Sequence, residues 1–322
     1  MSRWRCTRWA CSSDGRATDS VPLTVMNDES PEAADLRTFV EATLGAGSII
    51  DDRSRPFGKK SLTWRVTAKD GRRFFAKRHE VRQQFDAELL ALTEWAPLIE
   101  SNDRWASPEV ISVSSDQGAM IMTALDGEPL EDQRVDRDVE LSMYRTAGWL
   151  AARIHELDVG TQGIAAVRDL GDDAADRALE GAEELFDADT VHWIRSVALV
   201  PGEFDGLVFV PTHSDFSPRN WLVGTGTQQP VLGLIDWERA QESYWLEDLQ
   251  RMVYDHWRTE PWRRHAFFEG YGRKLTAAEE HQLRLICLLD AVYGLKWATS
   301  HDDFAYVEFL RSVIDYVRVE LG

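Results

Sequence analysis

From residue 30 onward the chain keeps two hydrophobic rhythms, and the change from one to the other divides it. The stretch "SPEAADLRTFVEATLG" sets apolar residues at helical spacing behind Ser30 and Pro31 and stops at Gly45, which predicts a short capped helix. "SIIDDRS", "SLTWRVTA" and "RRFFAKRH" follow as strands, the last two joined through Lys69-Asp70-Gly71, a favourable hairpin turn. "VRQQFDAELLALTEWA" returns to helical spacing until Pro97 ends it. "EVISVSS" and "GAMIMTAL" predict two more strands. After "DGEPL" helices take over, in "DVELSMYRTAGWLAARIHELD", an acidic stretch, "TAAEEHQLRLICLLDAVYGLKWATS" and "DFAYVEFLRSVIDYVRVEL". The strand signals left among them, "GLVFV" and "VLGLIDWE", flank one polar loop, "THSDFSPRN".

This order predicts an α+β, bilobal architecture. A small β-sheet lobe with one helix spans 31–124, a hinge 125–130, and a larger, mainly helical lobe 131–322. Residues 1–30 read as a disordered leader, or as an extension upstream of Met26. They hold arginines with no apolar run behind them, unlike a secretory signal. No apolar run is long enough to cross a bilayer.

Composition narrows the function class. A chain of 322 residues with 43% hydrophobic residues and 13 tryptophans can fill a sizeable core. The 36 basic against 55 acidic residues give a formal charge of −19. That repels nucleic acid and anionic membrane and attracts cationic small molecules. Three cysteines make no disulfide framework, and Cys6 and Cys11 lack the second ligand pair of a zinc site, so a cytoplasmic protein is expected. Residues 165–190 carry nine acids and two arginines. They form either a solvated helical face or an acidic wall for a polycationic ligand, a role for which Asp302, Asp303 and Glu308 compete.

The loop "THSDFSPRN" concentrates candidate chemistry. Phosphoryl transfer from a nucleotide needs a carboxylate for the acceptor hydroxyl, oxygen ligands for Mg²⁺, and a lysine for the phosphates. Asp215 leaves a strand in that loop, as a base facing a cleft would. Asn220 offers a neutral amide oxygen, and Asp236, ending "VLGLI", a charged one. Lys77 is the only lysine of "RRFFAKRH", and Glu88 lies on the next helix. That lysine–glutamate order is the one kinases use.

"HSDFSPRN" and "LIDWE" resemble the H-x-D-x4-N and I-D-[FW]-E signatures of the aminoglycoside phosphotransferase and choline kinase family. The resemblance runs over most of 31–322, through the lysine strand, "FDAELLAL", the hinge-like "MIMTALDGEPL", "LAARIHEL" and "EDLQRM". It implies a protein-kinase-like fold with Asp215 as catalytic base, Asn220 and Asp236 as Mg²⁺ ligands, and Lys77 on the α- and β-phosphates with Glu88 as its partner. Gly58 and Ser61 would touch the phosphates, and Met122 and Ala124 would line the nucleotide at the hinge. His213 would tie the loop together, His155 would pack, and Asp248 would brace the loop. Glu238 could approach the metal or the acceptor, or lie at the surface.

The family usually has glycine where this chain has Ser214, and a left-handed backbone there would cost a serine something. The expected activity is transfer of the γ-phosphate of ATP or GTP to a hydroxyl of a small cationic acceptor. An aminoglycoside or basic peptide antibiotic, inactivated by the transfer, leads the candidates. A metabolic kinase of choline, homoserine or a sugar is the alternative, and a catalytically inactive nucleotide-binding relative the third reading. No A-P-E segment follows Asp236, unlike in protein kinases. A monomer or homodimer is expected.

Overall fold

The structure is a computed structural model that describes residues 30–54, 61–100, 102–159, 173–198, 202, 204, 206, 208–224 and 230–322. The helix expected behind Ser30 is α1 (Pro31–Leu44). The Ser30 hydroxyl accepts from the Ala33 N–H at 3.2 Å, and the chain turns away at Gly45. β1 (Ile49–Asp52), β2 (Leu62–Thr67) and β3 (Arg73–Arg78) are antiparallel neighbours, and Gly71 makes the β2–β3 turn at φ +84°. α2 (Arg82–Leu90) continues through a widened turn at Ala91–Trp95 and a tight one at Ala96–Leu98, where Pro97 stops it. β4 (Trp105–Ala106) leaves for another sheet, and β5 (Val110–Ser114) and β6 (Ala119–Thr123) complete the order β1-β2-β3-β6-β5.

Alternation along β3 and β6 decides which side chains reach the rest of the molecule. Phe74, Ala76 and Ile121 pack with Leu36, Val40, Trp64 and Val66 in a small core under α1. Phe75, Met120 and Met122 face the other way, into the large core with Phe85 of α2. Lys77 pairs with Met120 in the register and shares that second face. The strand period alone therefore carries the lysine to the cleft side of the sheet.

β7 (Glu128–Pro129) begins the second half, followed by α3 (Arg137–His155), α4 (Ala174–Leu179), α5 (Ala188–Ala198), β8 (Phe209–Thr212), β9 (Trp221–Val223), β10 (Leu232–Leu234) and β11 (Gln241–Tyr244). α6 (Gln250–Met252), α7 (Pro261–Tyr271), α8 (Ala277–Ser300) and α9 (Phe304–Leu321) complete it. Strands β4-β10-β9-β7 form one small sheet and β8 with β11 another. Loop 213–220 thus joins β8 to β9, and loop 235–240 joins β10 to β11. α3 and α7 approach through two glycines. A Cβ on Gly148 would lie 1.9 Å from the Phe267 carbonyl oxygen, and one on Gly270 1.9 Å from that of Arg145.

The architecture is α+β and two-lobed, as the alternation of patterns indicated. Helix α7 has no counterpart among the predicted elements, because its buried Ala266, Phe267 and Phe268 are consecutive and mask the helical period. In the acidic stretch, Ala174, Ala175, Ala178 and Leu179 are buried while the described acids are exposed, and Arg195 pairs with Asp176 and Glu183. That is the solvated helical face. Among the described residues no helix is long and apolar enough to cross a membrane.

Candidate active site

Loop 213–220 is held from three sides. Asp248, fully enclosed at the end of the tight turn Trp245–Asp248, accepts the backbone N–H of His213 at 3.0 Å and of Ser214 at 2.6 Å. His155 on α3 reaches the same carboxylate at 3.0 Å through Nε2, and its Nδ1 meets the Tyr271 hydroxyl at 2.9 Å. Asp248 braces the loop, and His155 is a satisfied packing histidine. The His213 Nε2–H donates to the Ile235 carbonyl at 3.0 Å, and its ring lies 4.8 Å from that of Trp237. This histidine ties loop 213–220 to loop 235–240 and touches no reacting position.

Ser214 stands in the left-handed region at φ 57°, as feared for a non-glycine residue. Its hydroxyl bonds the Thr212 hydroxyl at 2.8 Å and accepts from Gln241 Nε2 at 3.2 Å. A second left-handed residue, Asp236 at φ 66°, was not foreseen. These two lie in the two candidate functional loops, where backbone strain is commonly found, and a third, Asp302 at φ 55°, lies between α8 and α9.

Asp215 is buried beside two guanidinium groups. Arg219 donates to Oδ2, and Arg251 Nε lies 2.8 Å from Oδ1 without hydrogen-bond geometry. Burial alone would raise its pKa, but Arg251, Arg219 and Arg239 outweigh it and hold the carboxyl below the usual range. Asp215 is therefore ionised at neutral pH. Oδ1 is enclosed and lacks a hydrogen-bond partner among the described residues.

Lys77 has the opposite surroundings. Its ammonium lies 2.8 Å from Glu88, 2.7 Å from Asp236 and 3.0 Å from Glu238. Burial would lower its pKa, but the three carboxylates raise it well above the usual value. Glu88 also bonds His79 Nε2 at 2.7 Å. Its carboxyl sits below the ordinary value because Lys77 and His79 overcome the effect of burial. His79, Glu88 and Glu238 have the spacing of metal ligands. The Lys77 ammonium, however, already lies against both glutamates.

Asn220 and Asp236 sit at the join of the two loops. The Ile235 N–H donates to the Asn220 carbonyl at 3.1 Å, and Asn220 Nδ2 donates to the Asp215 carbonyl at 2.9 Å. With Nδ2 committed, Oδ1 is the amide's remaining donor to a cation. An amide oxygen beside a carboxylate fits a hard divalent ion such as Mg²⁺.

The other expected nucleotide contacts divide. Gly58 lies outside the described residues. Ser61 is buried, and its hydroxyl accepts from the Glu80 N–H at 3.2 Å, so it fastens the end of β3. Met122 is buried on the cleft face of β6. Ala124 spends its N–H on the Arg73 carbonyl at 3.1 Å. Glu238 is buried against Lys77, so the surface alternative falls. Three residues went unseen in the sequence. His79 follows Lys77 by two positions, on the same strand face, and that period could have exposed it. Arg219 sits inside the motif itself. Arg251 gave no local signal, because its partner lies 36 positions away.

Comparison with known proteins identifies the family. Residues 54–286 match the profile of the phosphotransferase enzyme family, APH. A search of the curated proteins finds no match. Among solved structures, the GDP and kanamycin complex of APH(2")-IIia is 16% identical with a TM-score of 0.69, covering 89% of this chain and 99% of that one. The macrolide 2'-phosphotransferase MphH of Brachybacterium faecium is 18% identical with a TM-score of 0.59, covering 87% and 98%. A choline/ethanolamine kinase family protein of Mesorhizobium loti is 17% identical with a TM-score of 0.60, covering 88% and 94%. At these identities the likeness is one of fold.

Proposed function

The chain belongs to the phosphotransferase enzyme family, and on that premise we propose that it transfers the γ-phosphate of ATP or GTP to a hydroxyl of a small acceptor. The observation that carries the reading is the chain of contacts that joins the loops bearing Asp215, Asn220 and Asp236 to the buried Lys77–Glu88 pair. The solved relatives with GDP, or with ADP and hygromycin B, support a nucleotide co-substrate.

The acceptor O–H hydrogen-bonds to Asp215, which is ionised and has an oxygen to offer. As the acceptor oxygen bonds to the γ-phosphorus, the bond to the β–γ bridging oxygen breaks. The proton passes to Asp215 and the nucleoside diphosphate leaves. Lys77 neutralises the phosphates while Glu88 fixes its position. Asn220 and Asp236 would hold Mg²⁺, which supplies charge neutralisation across the phosphates when bound. His213 and Asp248 keep Asp215 and Asn220 in register. Met122 and Ala124 border the base, and a cytoplasmic site of action accords with a nucleotide substrate.

For the acceptor, the solved relatives bound to kanamycin, hygromycin B and streptomycin support a cationic, hydroxylated drug as one candidate class. On that second reading the enzyme inactivates an aminoglycoside or a basic peptide antibiotic. A metabolic acceptor such as choline, homoserine or a sugar uses the same chemistry. Asp215→Ala is expected to lower turnover by about 10²–10⁴-fold, the size of a general-base contribution, with Mg²⁺–nucleotide affinity kept. Coupled assays for diphosphate release and calorimetry with the nucleotide check both halves. Unchanged turnover would remove Asp215 from the mechanism, and turnover in neither protein would favour the inactive relative.

A further inference from the structure

Asp215 is lined by arginine. Arg219 comes from the motif loop and donates to Asp215, while Arg251 comes from α6 and lies 2.8 Å from Oδ1. Exposed Arg239 adds a third positive charge within reach of the same carboxylate. Tyr306 of α9 and Asp290 of α8 lie close enough to act on the Arg251 guanidinium and help hold it charged. Three helices thus meet around one guanidinium.

The arrangement leaves polar atoms unused. Arg219 Nε is enclosed and lacks a hydrogen-bond partner among the described residues, while Arg251 Nε and Asp215 Oδ1, also enclosed, lie 2.8 Å apart as an ion pair out of hydrogen-bond alignment. Enclosed N–H donors on two cations cost free energy unless something accepts from them. A structural role, neutralising a buried aspartate, needs one arginine; a second one with its Nε–H unmatched exceeds that need. An ammonium group arriving beside the reacting hydroxyl would meet like charge within a few ångströms. An acceptor carrying an anion would draw the guanidinium groups onto itself and uncover Oδ1 for the hydroxyl.

We propose that the acceptor carries an anionic group, a carboxylate or a phosphate, next to the hydroxyl that is phosphorylated, and that Arg251 and Arg219 bind it. This rests on the phosphotransferase reading and names the substrate class of the same site. Arginine suits the role, because its planar fork matches both oxyanions in a bidentate manner.

Two skeleton-matched series test it with the full chain, Mg²⁺ and ATP or GTP. One is glycerate, a glycerol phosphate, glycerol and aminopropanediol; the other is gluconate, a glucose phosphate, glucose and glucosamine. Kanamycin is added as a polycation. Diphosphate release and calorimetric binding are read for each, and the two anionic arms separate carboxylate from phosphate. Anion-bearing members are expected to bind and turn over in preference to their neutral and cationic counterparts. Arg251→Met is expected to raise the KM of the preferred acceptor by at least about tenfold, with part of the loss recovered in Arg251→Lys. Arg219→Gln gives the same readout should Arg251→Met fail to fold, which thermal unfolding reports. Preference for a neutral or cationic member overturns the inference. So does an acceptor KM indifferent to both arginines, or Mg²⁺–nucleotide binding with no anionic member bound or used. Absence of Mg²⁺–nucleotide binding itself sinks the phosphotransferase reading instead.

Discussion

Two buried charged centres are built in inverse proportion. Around Lys77 one buried cation meets three carboxylates, Glu88, Asp236 and Glu238. Around Asp215 one buried carboxylate meets the positive charge of Arg219, Arg239 and Arg251. Neither centre is balanced by its own side chains. The acid-rich one is suited to accept a further cation. The arginine-rich one is suited to accept an anion. The difference teaches that the overall charge of −19 is a poor guide to what either centre binds, because the field at a cleft is set by the few groups that line it.

The hardest blow to that contrast is to remove the minority charge. Lys77→Met leaves Glu88 and Glu238 enclosed beside Asp236 without their shared cation. A loss of about 3–5 kcal/mol in folding stability is expected, the usual result of stranding one side of a buried ion pair. Arg251→Met strips only one of several cations from Asp215 and should cost less, about 1–2 kcal/mol. Urea midpoints of the two variants measure the gap. Equal losses would mean that the two centres are not built in opposite senses.

How much of this could be read beforehand depends on the range over which each feature is determined. The sheet lobe and α1 follow from a two-residue period and a capped helix, both local, and the same period sets the facing of Lys77. The candidates Asp215, Asn220 and Asp236 could be picked out because the motif packs them into two short loops, which the structure joins. Asp248 was legible as a brace because it sits in a short acidic turn near the second loop. Arg251 and the Glu238–Lys77 contact were not, since tertiary packing brings together groups 36 and 161 positions apart. Helix α7 escaped for another reason: its Arg263 and Arg264 pair with Glu140 and Glu280, so neither polarity nor period marks its faces.

Titration sharpens the contrast with a smaller effect. Glu88 and Asp215 ionise below their ordinary values, 4.5 and 3.8. Their shares of stability are whole above those values and are lost as pH falls through the lowered ones. Lys77 is held well above 10.5, so its share is whole below that pH and lost only beyond its raised value. Stability should therefore be flat with respect to these groups between about pH 5 and 10 and decline below about pH 4. In Arg251→Met the Asp215 carboxyl moves back toward its ordinary value. The acid decline should become shallower in that variant, while the Glu88 share stays. Urea midpoints taken across pH compare the slopes, and identical slopes would separate Arg251 from the ionisation of Asp215.

The smallest effect lies at the strained residue next to Asp215. Ser214 holds φ 57° on the arm that carries Asp215. Glycine would relieve a left-handed backbone worth about 1 kcal/mol. It would also delete the hydroxyl's bonds with Thr212 and Gln241, each worth about 1 kcal/mol net. The two changes oppose each other, so Ser214→Gly should shift stability by no more than about 1 kcal/mol. Ser214→Ala keeps the strain and loses the same bonds, and should be the less stable of the two by about 1 kcal/mol. Thermal or urea unfolding of the pair isolates the backbone contribution. If alanine matches glycine, the left-handed turn costs this chain nothing, and the serine is retained for its hydroxyl alone.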